Sequence, residues 1–278
     1  MTKTNSKKRN STLKWVLIYT LYICAFLFLS RYDLAASMYL TEHRVRFAVL
    51  IGIHVSILPT GIILGLCGAC LCRCQTGWKK NLCFAISVIG DLIVSFYILQ
   101  PKMNLAGCIL IVVCAFPLWI LNRWRADHTD MTRKEAVNAC VAGILLVICS
   151  MAVTNIMKMI WARPRFISLE NPVTDFVPWY HFNGFNALND LHKSFPSGHT
   201  TAAATILWIV LLPHLYPHLK GHEKTLWIFA IIWIAIAAFS RIMAGMHYIS
   251  DTMGAFLVVL SLFLFIRKKL FPADNVQE

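Results

Sequence analysis

The chain has 278 residues, 58% of them hydrophobic and only 14% charged, with a net charge of +13 and a mean hydropathy of +0.63. Soluble globular domains carry about 25% charged residues, so the deficit excludes an ordinary soluble enzyme and points to a membrane. The basic residues fall at the ends of apolar runs rather than along one face, which argues for contact with membrane lipids and against a nucleic-acid partner.

Residues 1–14 carry Lys3, Lys7, Lys8, Arg9 and Lys14 without apolar periodicity and are expected to form a disordered basic cytoplasmic tail. Apolar runs follow at 15–30, 47–72, 81–99, 105–121, 136–160, 200–216, 226–240 and 250–266, each near the ~20 residues that cross a bilayer. The spacing predicts an all-α, polytopic membrane fold with about eight transmembrane helices, six at the fewest. Pro59 is expected to kink the second run, and the fourth is short, with Pro117 near its end. Ala35, Ala36 and Ser37 mimic a cleavage site, but Arg31 and Asp33 intervene, so an uncleaved anchor is expected. The expected organisation is N-terminal transmembrane helices over 15–135, a catalytic core over 136–266 and a cytoplasmic tail over 267–278.

Counting Lys and Arg in alternate connections gives seventeen in the set containing both termini and nine in the other. The rule that cytoplasmic loops are cation-rich then predicts cytoplasmic termini. Five of the nine outward cations, Lys158, Arg163, Arg165, Lys193 and Arg241, cluster around the longest outward connection, 161–199, a length that usually carries function.

The ten cysteines lie in or beside apolar runs between 24 and 149, so a disulfide framework is not expected. The cluster Cys67, Cys70, Cys72 and Cys74 has no interleaved histidine or carboxylate, and small-residue packing or lipidation suits it better than zinc. No metal site and no cofactor are predicted.

Three outward segments carry chemistry. In Lys158-Met-Ile-Trp-Ala-Arg163-Pro164-Arg165-Phe166 an apolar helix runs out into three cations, which suit the oxygens of a phosphoryl group. In Lys193-Ser194-Phe195-Pro196-Ser197-Gly198-His199-Thr200, Ser197 and Gly198 precede a helix whose free N–H groups and dipole favour an anion. His199 there is placed to protonate a leaving oxygen. In Ser240-Arg241-Ile-Met-Ala-Gly-Met-His247-Tyr-Ile-Ser-Asp251, the four-residue spacing puts His247 and Asp251 on one helical face. Asp251 would orient the ring of a nucleophilic His247, beside Arg241.

With these residues in view, the chain resembles the type 2 phosphatidic acid phosphatase superfamily, whose signatures are Lys-x6-Arg-Pro, Pro-Ser-Gly-His and Ser-Arg-x5-His-x3-Asp. Pro196–His199 and Ser240–Asp251 match the second and third completely, and the resemblance covers roughly 136–266. The first departs. Lys158 to Arg165 keeps the gap, but Phe166 stands where proline belongs, while Arg163-Pro164 keeps the pair at a shorter gap. Arg165 is the favoured clamp, with Arg163 as a second cation or an alternative.

The resemblance implies hydrolysis of a lipid phosphomonoester or diphosphate through a phosphohistidine at His247, assisted by Asp251, with His199 protonating the leaving group. Lys158, Arg165, Ser197, Gly198 and Arg241 would bind the phosphoryl oxygens without metal. Phosphatidic acid, phosphatidylglycerol phosphate and polyprenyl diphosphates all remain open as substrate. A bacterial cytoplasmic membrane, with the site on its outer face, is the expected location. A lipid-to-lipid phosphotransferase and a non-enzymatic transporter or scaffold on the same fold are the alternatives.

The remaining residues have plainer readings. The other eight histidines are read as structural. Asp91, within an apolar run, suits a functional and a hydrogen-bonding role equally. Phe176, Trp179, Tyr180, Phe182 and Phe185 are read as seating the outward loop in the interface rather than gripping a lipid tail.

Overall fold

A computed structural model describes residues 2–99, 104–185 and 189–272, with residues 2–14 and 51 given as backbone. Helix α1 (Thr2–Leu29) passes through a 3-10 turn into α2 (Asp33–Glu42). Then come α3 (Arg46–Cys74), α4 (Gly77–Leu99), α5 (Leu105–Asp127) and α6 (Lys134–Trp161). A long connection holds the single turn α7 (Pro172–Asp175) and leads to α8 (Gly198–Ala204), a 3-10 stretch and α9 (Leu212–Leu215). The chain closes with α10 (Glu223–Met243) and α11 (Ile249–Leu270). Among the described residues no strand occurs, and eight helical segments are long and apolar enough to span a bilayer. Each coincides with an apolar run predicted above.

Three local differences have physical content. The first run continues as helix to Glu42 instead of ending near residue 30, because Asp33 is not solvated there but buried among donors, 1% exposed. The backbone of α1 is helical from Thr2, through the stretch expected to be disordered. The sixth run is not a uniform α-helix: Thr205 Oγ1 donates to the Ala202 carbonyl at 2.7 Å where the α-helix gives way to 3-10 geometry. Side-chain competition of this kind commonly distorts helices.

Helix α3 is central, packing on α4, α6, α8 and α10. Its approach to α4 depends on small residues: a Cβ on Gly90 would lie 2.3 Å from the Gly65 backbone nitrogen. Close backbone contact replaces the hydrophobic drive that is missing between helices in lipid. On the same face Asn122 of α5 donates to Asp91 Oδ1 at 2.7 Å, giving Asp91 a hydrogen-bonding partner within the bundle. The core joins α3 and α6 through Cys67, Cys70 and Cys140, all fully buried, to Leu207, Trp208 and Phe263. The ten cysteines are free thiols, and Cys74 of the cluster is exposed.

The long connection folds back over one end of the bundle. Trp161 Nε1 donates to the Trp179 carbonyl at 2.6 Å, and Trp179 packs edge-on against Phe26 of α1, with centroids 4.7 Å apart. Phe176 and Phe182 are seated likewise against Tyr248 and Trp161. Phe182, Tyr180 and Phe185 nonetheless remain exposed, while Phe176 and Trp179 are partly buried. At this end α1, α6 and α10 finish and α8 and α11 begin.

Candidate active site

Lys158 sits one turn before the end of α6, which stops at Ala162 in the left-handed conformation, φ 44°. Pro164 cannot continue a helix, so the chain turns back and Arg163 and Arg165 leave in different directions. Lys158 reaches α8: a Cβ on Gly198 would lie 3.2 Å from its Nζ. A glycine there is what lets the ammonium approach the start of α8. Arg165 Nη2 pairs with the exposed Asp190 at 3.0 Å, and its buried Nε has no protein partner among the described residues.

Arg163 takes a different place. Its side chain is fully buried, Nη1 donating to Asp251 Oδ1 at 2.6 Å and to Ser250 Oγ at 2.8 Å. Nη2 donates to Asp33 Oδ2 at 3.0 Å and Nε to the Val177 carbonyl at 2.8 Å, while the Tyr248 ring covers the guanidinium at 4.0 Å. Every nitrogen is engaged by protein. The expectation that Arg163 binds a phosphoryl group, as a second cation or in place of Arg165, is therefore corrected: its fork is filled by two carboxylates.

Ser197 caps α8, its hydroxyl accepting from Thr200 N at 3.3 Å, and its own backbone N–H donates to the Asp251 carbonyl at 3.0 Å. That bond ties the start of α8 to the first turn of α11. His199 follows, half-buried, within electrostatic reach of Arg241, His247, Lys158 and Arg165. Arg241, in the last turn of α10, is 2% exposed and is anchored by Nη2 to the Val49 carbonyl of α3 at 2.8 Å. The match of small and large is tight, since a Cβ on Gly52 would overlap Ser240.

The turn from α10 to α11 needs Gly245, φ 67°, whose carbonyl accepts from Ile167 N at 3.1 Å. His247 lies just beyond it, 1% exposed. Its Nδ1 donates to the Ser194 carbonyl at 2.8 Å, with Asp251 Oδ2 further off at 3.6 Å. Both neighbours can only accept, so the proton is held on Nδ1 and the lone pair falls on Nε2, for which no protein partner exists among the described residues. Burial pushes the pKa of His247 down to about 4, with Asp251 opposing that shift and Lys158 and Arg165 adding to it. The ring is neutral at neutral pH. Asp251 Oδ2 accepts from Ser194 Oγ at 2.5 Å and from Tyr248 N at 2.8 Å.

The fold thus brings Lys158, Arg165, Ser197, Gly198, His199, Arg241 and His247 to one place, with Asp251 behind the ring. Sequence reasoning missed Ser194, the direct partner of His247, and Asp33 and Ser250. Asp33 Oδ1 accepts from Ser250 N at 2.9 Å and Oδ2 from Ser250 Oγ at 2.5 Å. A single acid after an apolar run gave no signal of that.

A helical membrane-type bundle that buries two histidines among fixed cations at one end defines a class of protein built to receive an anion. Residues 136–273 match the PAP2 superfamily, and the chain belongs to that superfamily. The chain is similar to phosphatidylglycerophosphatase B of Bacillus subtilis (strain 168), 32% identical over 121 residues, covering 40% of this chain and 55% of that protein. It is also similar to undecaprenyl-diphosphatase BcrC of the same organism, 27% identical over 157 residues, 56% of this chain and 68% of that one. The chain thus spans little more than half the length of the first of these relatives. A solved structure, a transmembrane PAP2 type phosphatidylglycerolphosphate phosphatase from Bacillus subtilis, overlaps 93% of this chain and 98% of its own, with a TM-score of 0.49 and 17% identity.

Proposed function

We propose that the protein is an integral-membrane phosphatase that hydrolyses a lipid phosphomonoester or diphosphate through a phosphohistidine at His247. The observation that carries this reading is the fixed tautomer of His247: Nδ1–H is committed to the Ser194 carbonyl at 2.8 Å, which leaves Nε2 as a nucleophile among Lys158, Arg165, Arg241 and His199. Nε2 attacks phosphorus, and the bond to the leaving oxygen breaks as His199 supplies its proton. Water then attacks the phosphohistidine and releases inorganic phosphate, with His199 accepting the water's proton. Lys158, Arg165, Arg241, the Ser197 hydroxyl and the backbone N–H of Gly198 stabilise charge on the equatorial oxygens, the work a metal ion does elsewhere.

The lipid character of the substrate is supported by the position of these groups at the end of apolar helices and by the relatives named above. Phosphatidylglycerol phosphate and polyprenyl diphosphate are accordingly the first substrates to try. The distribution of Lys and Arg supports cytoplasmic termini and an outward-facing site. The test is phosphate release by the purified full chain from a panel of lipid phosphates in chelator, with His247→Ala alongside. Turnover by wild type and loss in the variant are expected. Equal turnover by both, or a strict need for added metal, would overturn the reading.

A further inference from the structure

Behind His247 the structure places three charges in a row, each nearly or fully buried: Asp251, Arg163 and Asp33. Every polar contact of the two carboxylates is with a donor. Asp251 accepts from Arg163, Ser194 and Tyr248 N, and Asp33 accepts from Arg163 and from both Ser250 N and Oγ. Both are therefore ionised, since a protonated acid would waste a donor against donors. One guanidinium between two carboxylates leaves one negative charge uncancelled beside the imidazole.

We infer that Asp33 is a positioning residue for His247: by engaging Arg163 from the far side, it keeps the charge of Asp251 available to the ring. Were Arg163 paired with Asp251 alone, the two charges would cancel. The ring would then face the cations Lys158, Arg165 and Arg241 and the His199 imidazole with no net negative charge beside it. With Asp33 present, the positive ring formed when Nε2 bonds to phosphorus, Nδ1 keeping its proton, brings the buried group to neutrality. Asp33 belongs to α2, outside the residues that match the family, so the N-terminal helices complete the site rather than merely anchor it.

The charged and titratable groups around His247 are Lys158 and Arg165 from the exit of α6, His199 from α8, Arg241 from the end of α10 and Asp251 from α11; Asp190 stands against Arg165. Only Asp33 and Arg163 are varied in the test. The His247 titration is followed by imidazole NMR on full-length protein in detergent, the resonance being assigned with His247→Gln. The Asp33→Asn midpoint is expected to fall below the wild-type value by about one pH unit. Asp33→Glu should stay near wild type. The double variant Asp33→Asn with Arg163→Gln, which restores the net charge, should return toward it. If Asp33→Asn does not fold, Arg163→Gln alone decides, and its midpoint is expected to rise.

The catalytic part of the inference rests on the phosphohistidine reading. It predicts a loss of about tenfold or more in kcat for Asp33→Asn with KM little changed. The titration arm does not depend on that reading: a protein that turned over no lipid phosphate would end the proposed activity and leave the titration to decide Asp33. A folded Asp33→Asn with the wild-type midpoint, or a fall shared equally by Asp33→Glu, would show a merely structural role.

Discussion

The Nδ1 of His247 lies 2.8 Å from the Ser194 carbonyl oxygen and 3.6 Å from the nearer oxygen of Asp251, so the backbone and not the carboxylate holds the ring's proton. In hydrolase triads the carboxylate sets the tautomer, and its amide variant loses about 10⁴ in kcat. Here Asp251→Asn leaves the Ser194 carbonyl contact to the ring in place, but it removes the charge behind the ring and turns an amide N–H toward Arg163 or toward Ser194 Oγ and Tyr248 N. Its expected loss is on the order of 10², smaller than that of His247→Ala, as read from single-turnover phosphate release.

The two outward arginines of α6's exit are expected to behave differently. Arg163→Met leaves Asp33 and Asp251 buried without their shared partner, a loss of about 3–5 kcal/mol visible as a lower melting temperature. Arg165→Ala forfeits an ion pair to the exposed Asp190 and a weak contact to Met246 Sδ, so its melting temperature should move far less than that of Arg163→Met, while KM rises about tenfold or more. The reverse pattern would exchange the two assignments.

Activity should lose its acid limb where His247 becomes protonated. Because burial lowers its pKa to about 4, kcat/KM is expected to stay level down to about pH 5 and fall through pH 4. The stability sign follows from the same group: its folded pKa is below the ordinary 6.5, so the unfolded chain binds more protons between the two values. Stability should therefore decline as pH falls from 6.5 toward 4. His247→Gln should remove that component in a melting series across pH.

Gly245 turns the chain just ahead of His247 at φ 67°, and a Cβ there would lie 2.5 Å from Ile167 Cγ2. Gly245→Ala combines left-handed strain with a clash, and a loss of about 2–4 kcal/mol is expected from thermal unfolding. Since Gly245 also accepts from Ile167 N, the displacement carries to the segment after Arg165 and should lower kcat beyond the stability effect.

The spans were legible because ~20 apolar residues in a row leave little choice. So were His199, His247 and Asp251, because contiguous motifs keep their spacing in a helix or turn. Three things were not. Ser194 acts through its carbonyl, and no side-chain pattern reports what a backbone oxygen accepts. Asp33 lies 130 residues from Arg163 in the chain, so their pairing is a matter of tertiary packing alone. Between Arg163 and Arg165, spacing favoured the second, but only the turn at Ala162 and Pro164 sends the first inward to the carboxylates.

The central claim is that His247 Nε2 takes the phosphoryl group. The most direct measurement is acid-sensitive phosphate trapping: full-length protein is mixed with a turned-over lipid phosphate and quenched in base within a turnover, and its modified peptide is sequenced by mass spectrometry. The account predicts a phosphoramidate on His247, more abundant in a His199→Ala background only where breakdown is slowed more than formation, and absent in His247→Ala. A phosphoryl group on another residue, or rapid turnover with His247 replaced, would contradict it.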